Sequence, residues 1–455
     1  MNMTATYRQT PPGIMAMLDL FTRQHLSYLL FKCDHIFEGQ NKNLDILFQT
    51  KEDYQKAAII LEQQGFVVRL SEKIEKYKTM YCGLIDKTMY SIHLHREIAW
   101  HGMVALDKQP VFGHAQHLNH YIIIPNIEDS ILIHAAHVLF ENFKVKEREK
   151  NYFLKLNEPS EGHLINHKYI DWQIRKNHWE KGFWKVIKSE QLSKIEIGWA
   201  WINKLIREPE TAFYLFKKAL RIPLRKLSFK RQGCLIALIG INGSGKSTLS
   251  RKVLEMYLPC TRHLGKEQYY YYYGWNPRFF LTKIGSSLLQ KKKKSVFQET
   301  ALQQNTKKFD IFQELLFMYI TMEYFYRYWI DIRPKLRQNS VVVTDRYFYD
   351  LYGQYPYAQK SVLFSIFMKI FPKPDFTYLL IAPLAQIASR EKTDRNKQDT
   401  IVNLKRKVLP QEYLIQQQQN YQELQTMLRL ETIETIQDID ETGRHIFNRT
   451  WRALV

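Results

Sequence analysis

The sequence predicts an α/β protein whose C-terminal part is a parallel β-sheet with helices on both faces. One observation is that apolar runs of strand length occupy residues 235–239, 340–344 and 377–381, with helix-forming segments between them. This alternation is typical of parallel strands joined by helical crossovers. The other observation is that the first run leads into a glycine-rich turn and then directly into a helix-forming stretch.

The chain is too long for a single ordinary core. Its 455 residues suggest two or three domains. Residues 1–145 alternate strand-like runs with helical segments such as 52–64, which indicates an α+β domain. Residues 146–232 have helical periodicity and a basic end, and are predicted to be a helical connector. Residues 233–455 contain the three apolar runs and form the predicted parallel-sheet domain.

Residues 240–248 read GINGSGKST and contain the full G-x-x-x-x-G-K-[ST] pattern. Glycines let backbone N–H groups curl around phosphates, the lysine reaches β- and γ-oxygens, and the following hydroxyl ligates Mg²⁺. The strand-like run before the pattern and the helix after it provide the required context. We therefore predict that ATP and Mg²⁺ bind here, in contact with Gly240, Ile241, Asn242, Gly243, Ser244, Gly245, Lys246, Ser247 and Thr248.

A carboxylate follows the next apolar run, in the segment SVVVTDRYFYD. Asp345 stands at the predicted C-terminal end of that strand, where ligands bind in an open α/β sheet. There it can hold Mg²⁺ together with Ser247, or orient an acceptor. Arg346 can clamp a phosphate through two parallel hydrogen bonds. Lys246, Asp345 and Arg346 are thus the predicted catalytic residues at this edge.

A polar, basic segment follows the third apolar run and contains Arg390, Lys392 and Arg395. In a phosphotransferase such residues suit a lid that closes over the transferring phosphoryl group and offsets its charge. A charged helix exposed to solvent is the alternative interpretation.

Together, the GINGSGKST loop, the VVVTDRY strand end and the PDFTYLLI strand resemble the thymidylate kinase family over residues 233–440. The resemblance implies an ATP- and Mg²⁺-dependent kinase in which Asp345 and Arg346 orient and clamp the acceptor phosphate. It also implies that Arg390 and Arg395 belong to the lid, and it makes Arg327 a candidate for the family's arginine on the preceding helix.

The chain also departs from this family. Ile239 stands where thymidylate kinases usually carry a glutamate before the first loop glycine, and DRYFYD looks more like the divergent kinases that accompany surface-polysaccharide genes. The predicted acceptor is therefore a nucleoside monophosphate or a sugar or glycan-related phosphate or hydroxyl. Residues 350–353 and 396–399 match GTPase D-x-x-G and N-K-x-D elements, so a regulatory ATPase or GTPase without a small acceptor is an alternative.

Residues 25–140 are similar to the nucleotidyltransferase-like fold, in which a D-h-D strand presents two carboxylates to two Mg²⁺ ions. Here the pair is Asn43 and Asp45, and the segment SIHLHRE offers His93 and His95 in place of an acid. We predict a degenerate, substrate-recognising module, with an active nucleotidyltransferase carrying an accessory P-loop as the alternative. Metal binding by these histidines with His134 and His137 is a further alternative to their being core residues.

The net charge is +21, with basic clusters at residues 221–231 and 291–294. No nucleic-acid module accompanies them, so they indicate a solvated surface or a peripheral contact with an anionic membrane or polymer. No apolar run approaches the 18 residues of a membrane span, and four cysteines without CxxC spacing fit a reducing compartment. A cytoplasmic location is expected, and the oligomeric state stays open.

Overall fold

The structure is a computed structural model that divides the chain into two compact units between residues 229 and 230. The residues that the structure describes are 12–31, 43–85, 88–154, 165–188, 194–227, 233–274, 311–354, 356–359, 361–383, 387, 411–435 and 438–455. Among them, no helix combines the length and the apolar character needed to cross a bilayer.

The first unit consists of a five-stranded sheet, two short hairpins and surrounding helices. Its strands are β1 (Tyr28–Leu30), β2 (Asn43–Phe48), β3 (Val67–Leu70), β4 (Lys78–Ile85), β5 (Thr88–His95), β6 (Ile98–Trp100), β7 (Met103–Leu106), β8 (Gln116–His117) and β9 (Ile123–Ile124). Its helices are α1 (Pro12–Arg23), α2 (Lys51–Gln63), α3 (Lys108–Gly113), α4 (Ile127–His137), α5 (Glu147–Leu154), α6 (His167–Lys176), α7 (Glu180–Lys188), α8 (Lys194–Arg207) and α9 (Pro209–Leu227).

The large sheet of this unit has the order β1-β2-β5-β4-β3. Strands β2 and β5 pair in parallel, with Asp45 opposite His93 and Leu47 opposite His95. The other neighbours pair antiparallel. Central strands β2 and β5 are almost wholly buried, because helices cover the sheet and exclude solvent from it. The sequence did not predict β4, whose residues KTMYCGLI lack a clear alternation of apolar and polar side chains.

The helices predicted between residues 146 and 232 are present and belong to the core of this unit. Ile174 of α6 and Phe183 of α7 share a cluster of buried residues with Leu29 and Ile131. Trp179, between α6 and α7, is buried there and donates its indole N–H to the carbonyl of Ala105 at 2.7 Å. These helices therefore pack as part of the first unit.

The second unit is built around a parallel sheet. Its strands are β10 (Cys234–Gly240), β11 (Gln268–Tyr272), β12 (Val341–Asp345), β13 (Phe376–Ile381) and β14 (Glu431–Glu434). Its helices are α10 (Lys246–Leu264), α11 (Ile311–Arg327), α12 (Arg333–Arg337), α13 (Asp350–Gln354), α14 (Val362–Ile370), α15 (Gln411–Leu428) and α16 (Ile439–Thr450). A π-helical turn lies at Tyr328–Ile332, and 3-10 turns lie at Pro356–Gln359 and Trp451–Leu454. The first unit contains a further π-helical turn at Val138–Asn142.

All five strands of this sheet are parallel, in the order β11-β12-β10-β13-β14. Every residue of β10 is buried, which requires cover on both faces. Leu235, Ala237 and Ile239 pack into one core with Phe317 of α11 and Leu424 of α15. Helix α10 packs against β10, β11 and β12. The α/β class predicted from the alternation of apolar runs and helices is thus confirmed for this unit.

Candidate functional site

The glycine-rich loop lies at the centre of the parallel sheet's C-terminal edge. It follows β10, whose neighbours are β12 and β13, and it leads directly into α10. In open parallel sheets this edge is where ligands bind, and the N-terminus of a helix presents unpaired N–H groups that attract anions. The loop therefore occupies the position in the sheet that favours phosphate binding.

The three glycines of the loop, Gly240, Gly243 and Gly245, have backbone conformations that other residues rarely adopt. Gly240 has φ +141°, and a Cβ at this position would lie 2.4 Å from the carbonyl oxygen of Leu380. Gly245, the residue before α10, has φ +88°. Glycine is needed at Gly240 because it alone combines this angle with such a close backbone approach, and it is favoured at Gly245 because other residues rarely adopt a positive φ. The sharp turn into α10 depends on them.

The side chain of Lys246 is buried within the loop. Its Nζ donates a hydrogen bond to the carbonyl of Ile241 at 2.5 Å and another to Oγ of Ser244 at 3.3 Å. Burial lowers the pKa of Lys246 to about 7, and the nearby Arg346 guanidinium acts in the same direction. A phosphate oxygen that takes the place of the Ile241 carbonyl would supply the negative charge that stabilises the ammonium form.

A hydroxyl and a carboxylate meet beside this lysine. Ser247 Oγ donates a hydrogen bond to Oδ2 of Asp345, and Tyr270 donates a second one to the same oxygen at 3.2 Å. Asp345 is 1 % exposed and lies opposite Leu238 in the parallel register of β10 and β12. Hydroxyl and carboxylate oxygens are ligands that Mg²⁺ prefers. The structure thus brings together the two residues that the sequence assigned to Mg²⁺.

Arg346 connects the glycine loop to Asp350. One terminal nitrogen donates to the side-chain oxygen of Asn242, and the other lies 3.9 Å from Oδ1 of Asp350. Burial acts to lower the pKa of Arg346, but its acidic neighbours, with Asp350 the strongest of them, together outweigh burial and raise the pKa, so this side chain stays charged. Its backbone has φ +74°, an uncommon conformation for a non-glycine residue.

Asp350 is a site residue that the sequence did not assign. It accepts backbone N–H groups from Tyr347 at 3.0 Å and Gly240 at 3.3 Å, and it also accepts the Tyr421 hydroxyl. Burial raises its pKa, while Arg346 and Lys246 oppose that rise. In the sequence, Asp350 stood out only as the first residue of a D-x-x-G match. Its actual role is to connect the glycine loop, the end of β12 and α15.

The side chains of the five consecutive tyrosines at 269–273 have distinct environments. Tyr270 bonds to Asp345, while Tyr271 donates to Asp331. Lys335 lies 4.3 Å from the ring centroid of Tyr269. Alternate residues of a strand point to opposite faces, so every second tyrosine faces the side of Asp345. The alternation of strand side chains between the two faces of the sheet was the signal that could have identified Tyr270 from the sequence.

Arg327, the candidate for the arginine on the helix before β12, is engaged inside the unit. Its terminal nitrogens donate to the carbonyls of Gly274 at 2.8 Å and Tyr272 at 3.0 Å. Its guanidinium lies 4.8 Å from the ring centroid of Tyr273, and only 1 % of the residue is exposed. These contacts show Arg327 supporting the end of β11.

Several predicted residues lie outside the part of the chain that the structure describes. They include the predicted lid residues Arg390, Lys392 and Arg395, the N-K-x-D match at 396–399 and the four lysines at 291–294. The predicted roles of these residues stay predictions.

In the first unit, Asp45, the one acid of the predicted degenerate pair, contacts both histidines of the neighbouring strand. Oδ1 of Asp45 lies 3.0 Å from Nδ1 of His93 and 3.0 Å from Nε2 of His95. The side chain of His137 lies elsewhere, with its Nε2 3.3 Å from Glu141. Among the described residues, Asp45, His93 and His95 are the one group of three potential ligands, and His134 is not part of it.

No protein-family model matches this chain, and no curated protein matches it either. A solved structure to which it is similar is thymidylate kinase from Ehrlichia chaffeensis. The identity is 18 % and the TM-score 0.31, and the match covers 48 % of this chain and 98 % of that chain.

Proposed function

We propose that this protein is an ATP- and Mg²⁺-dependent phosphotransferase of the nucleotide-kinase type. The observation that carries the proposal is the contact of Ser247 with Asp345 at the mouth of the glycine loop, beside the buried ammonium of Lys246. A glycine loop alone would bind phosphate. A hydroxyl and carboxylate pair next to it adds the hard-oxygen ligands that phosphoryl transfer requires.

Each side chain has a defined task in this proposal. Lys246 exchanges its bond to the Ile241 carbonyl for β- and γ-phosphate oxygens and offsets the charge of the transferring group. Ser247 and Asp345 would hold Mg²⁺, which would help to offset the negative charge of the phosphates. Tyr270, bonded to Asp345, keeps that carboxylate oriented. Because Asp345 is almost fully buried, little water competes for its oxygens.

The acceptor proposed here is a nucleoside monophosphate or a sugar or glycan-related phosphate or hydroxyl. Arg346 supports a phosphate-bearing acceptor, because its guanidinium stays charged and bonds to the loop residue Asn242. A guanidinium can exchange such a bond for two bonds to a phosphate. The predicted lid arginines, Arg390 and Arg395, are proposed to close over the same group.

For the first unit we propose a recognition module related to nucleotidyltransferases without their two-metal chemistry. Asn43 occupies the strand position where a second carboxylate would be needed, and Asp45 is engaged with two histidines. One carboxylate cannot bridge two Mg²⁺ ions in the way that nucleotidyl transfer demands.

The test is acceptor-dependent transfer from γ-labelled ATP, screened against nucleoside monophosphates, sugars and sugar phosphates. We expect ADP to form only when a suitable acceptor is present. Hydrolysis of ATP or GTP that no acceptor stimulates would instead indicate a regulatory NTPase. Transfer of the label from α-labelled nucleotide to a substrate, with release of pyrophosphate, would indicate a nucleotidyltransferase and overturn the proposal for the first unit.

A further inference from the structure

Three potential metal ligands lie side by side at the centre of the first unit's large sheet. Asp45 belongs to β2, and His93 and His95 belong to β5. The two strands are parallel, and Asp45 lies directly opposite His93. Residues two apart on a strand point to the same face, so His95 joins them on that face. The strand register therefore determines that these three side chains meet.

The distances between the side chains fit a single bound ion. Oδ1 of Asp45 is 3.0 Å from the nearest nitrogen of each histidine, and the three atoms lie within 4.8 Å of one another. Two ligands about 2.1 Å from one ion lie about 3.0 Å apart at a right angle and about 3.4 Å apart in a tetrahedron. An ion could thus replace the two hydrogen bonds with small side-chain adjustments.

The surroundings hold the ligands in place. Asp45 and His93 are less than a tenth exposed, and His95 is 1 % exposed. The ring of His95 packs edge-on against Phe31, with 4.6 Å between the ring centroids. All three residues lie on paired central strands, which position side chains more accurately than loops do. The ligand set is therefore largely pre-organised.

We propose that Asp45, His93 and His95 form a binding site for a first-row transition-metal dication such as Zn²⁺. Two imidazoles and one carboxylate are nitrogen and oxygen ligands of the kind that Zn²⁺ and its neighbours in the series prefer. Mg²⁺ prefers a shell of oxygen ligands, so the two histidines select against it. The site lies in a different unit from the glycine loop and does not depend on the proposed kinase activity.

The competing interpretation is an aspartate that simply accepts hydrogen bonds from two imidazole N–H groups. The substitution Asp45→Asn separates the two, because the amide retains an acceptor oxygen of the same shape but loses the charge that a metal requires. A purely hydrogen-bonded group would tolerate this change and would show no specific metal uptake.

The experiment uses the full-length protein after dialysis against a chelator, with Mg²⁺ in excess to saturate the oxygen ligands around Ser247 and Asp345. Zn²⁺ is titrated calorimetrically, and Co²⁺ is added in parallel because its visible absorption reports ligand type and coordination number. We expect about one equivalent of either ion to bind, and Zn²⁺ to raise the unfolding temperature because it binds the folded state.

In the variants, we expect Asp45→Asn and His93→Ala to weaken Zn²⁺ binding at least about tenfold and to abolish the thermal shift. His117→Ala is the matched control, since His117 is an exposed histidine of the same unit outside the cluster. Circular dichroism of each metal-free variant checks that it is folded. Wild-type protein that binds no Zn²⁺ or Co²⁺, or a folded Asp45→Asn variant that binds Zn²⁺ as tightly as wild type, would overturn the proposal.

Discussion

The hydroxyl of Ser247 donates a hydrogen bond to Asp345 across the gap between the first turn of α10 and the end of β12. These residues are far apart in the sequence and meet because β10 and β12 are neighbours in the sheet. The contact joins the N-terminal end of the helix, where we propose that phosphate binds, to the one carboxylate predicted for metal binding in this unit. Changes to either residue should therefore affect the same step.

We expect Lys246→Ala to lower the rate of phosphotransfer by about 10²-fold or more while the protein stays folded. In the proposed mechanism the lysine stabilises charge in the transition state, and a preorganised donor of this kind lowers the activation free energy by several kcal/mol. Lys252→Ala is the control, because Lys252 lies on the same helix but pairs with Asp440 at 2.7 Å. Wild-type turnover in a folded Lys246→Ala variant would contradict the kinase proposal.

Nucleotide binding should be accompanied by proton uptake near pH 8. The pKa of Lys246 is lowered to about 7 without ligand, so at about pH 8 most of the population is neutral. Bound phosphate raises that pKa and recruits close to one proton, whereas near pH 6 the lysine is already charged. Calorimetry in buffers of different ionisation enthalpy measures the uptake. Lys246→Arg, which stays charged, should show none, and buffer-independent heats for wild type at pH 8 would refute the prediction.

Asp345→Asn and Ser247→Ala should both raise the Mg²⁺ concentration needed for half-maximal activity, and Asp345→Asn should also reduce kcat by orders of magnitude. In the proposed site the two residues, which are hydrogen-bonded to each other, supply neighbouring oxygen ligands to Mg²⁺, and an amide is a much weaker ligand than a carboxylate. Mg²⁺ titrations of initial rates provide the measurement. Ser365→Ala, which removes an exposed hydroxyl on α14, is the control. If the Mg²⁺ dependence of the rate were unchanged in both site variants, the end of β12 would not be part of the metal site.

Arg346→Ala should act mainly through the acceptor. The charged guanidinium bonds to the loop residue Asn242. In the proposed mechanism it clamps the acceptor phosphate through two hydrogen bonds, and the substitution removes that clamp. We expect kcat/KM for the acceptor to fall by at least about tenfold while the KM for ATP changes less. Steady-state kinetics with each substrate varied in turn distinguish these effects. Equal loss for ATP and acceptor would instead indicate a general disturbance of the loop.

Asp350→Ala should destabilise the second unit by about 3–5 kcal/mol, because it leaves a buried arginine without its partner. It also removes the acceptor of the Gly240 and Tyr347 N–H groups. Tyr421→Phe, which deletes one hydroxyl from the same network, should cost only about 1–2 kcal/mol. Urea denaturation of both variants gives the comparison. If both variants were as stable as the wild-type protein, the network would contribute little to the free energy of unfolding.

The fold of the second unit was predictable where a strand is long and buried on both faces. The apolar runs that became β10, β12 and β13 are of this kind, and their alternation with helices identified the α/β class. β11 and β14 were not predicted. β11 reads QYYYY, in which every aromatic ring carries a polar hydroxyl, and β14 reads ETIE with one buried residue. Neither sequence contains a run of aliphatic residues like those of the central strands. The proposed three-part domain layout stays a prediction.

The glycine loop could be predicted from the sequence because the residues that form it are close together in the chain. Gly240, Gly245, Lys246 and Ser247 lie within eight positions of one another, and the turn itself brings them together. Local spacing and backbone requirements are properties that a linear pattern can express. The same holds for Asp345 and Arg346, whose position directly after an apolar strand implies the ligand-binding edge of a parallel sheet. Their catalytic roles remain to be tested.

Only the tertiary structure decided what surrounds these residues. Tyr270, Asp350 and Tyr421 come from separate segments, and their contacts arise from strand order and helix packing. The meeting of Asp45 with His93 and His95 depends in the same way on the parallel register of β2 and β5. A sequence pattern records which side chains are available and how a short segment folds. It does not record register or packing between distant segments, because those follow from the free energy of the whole unit.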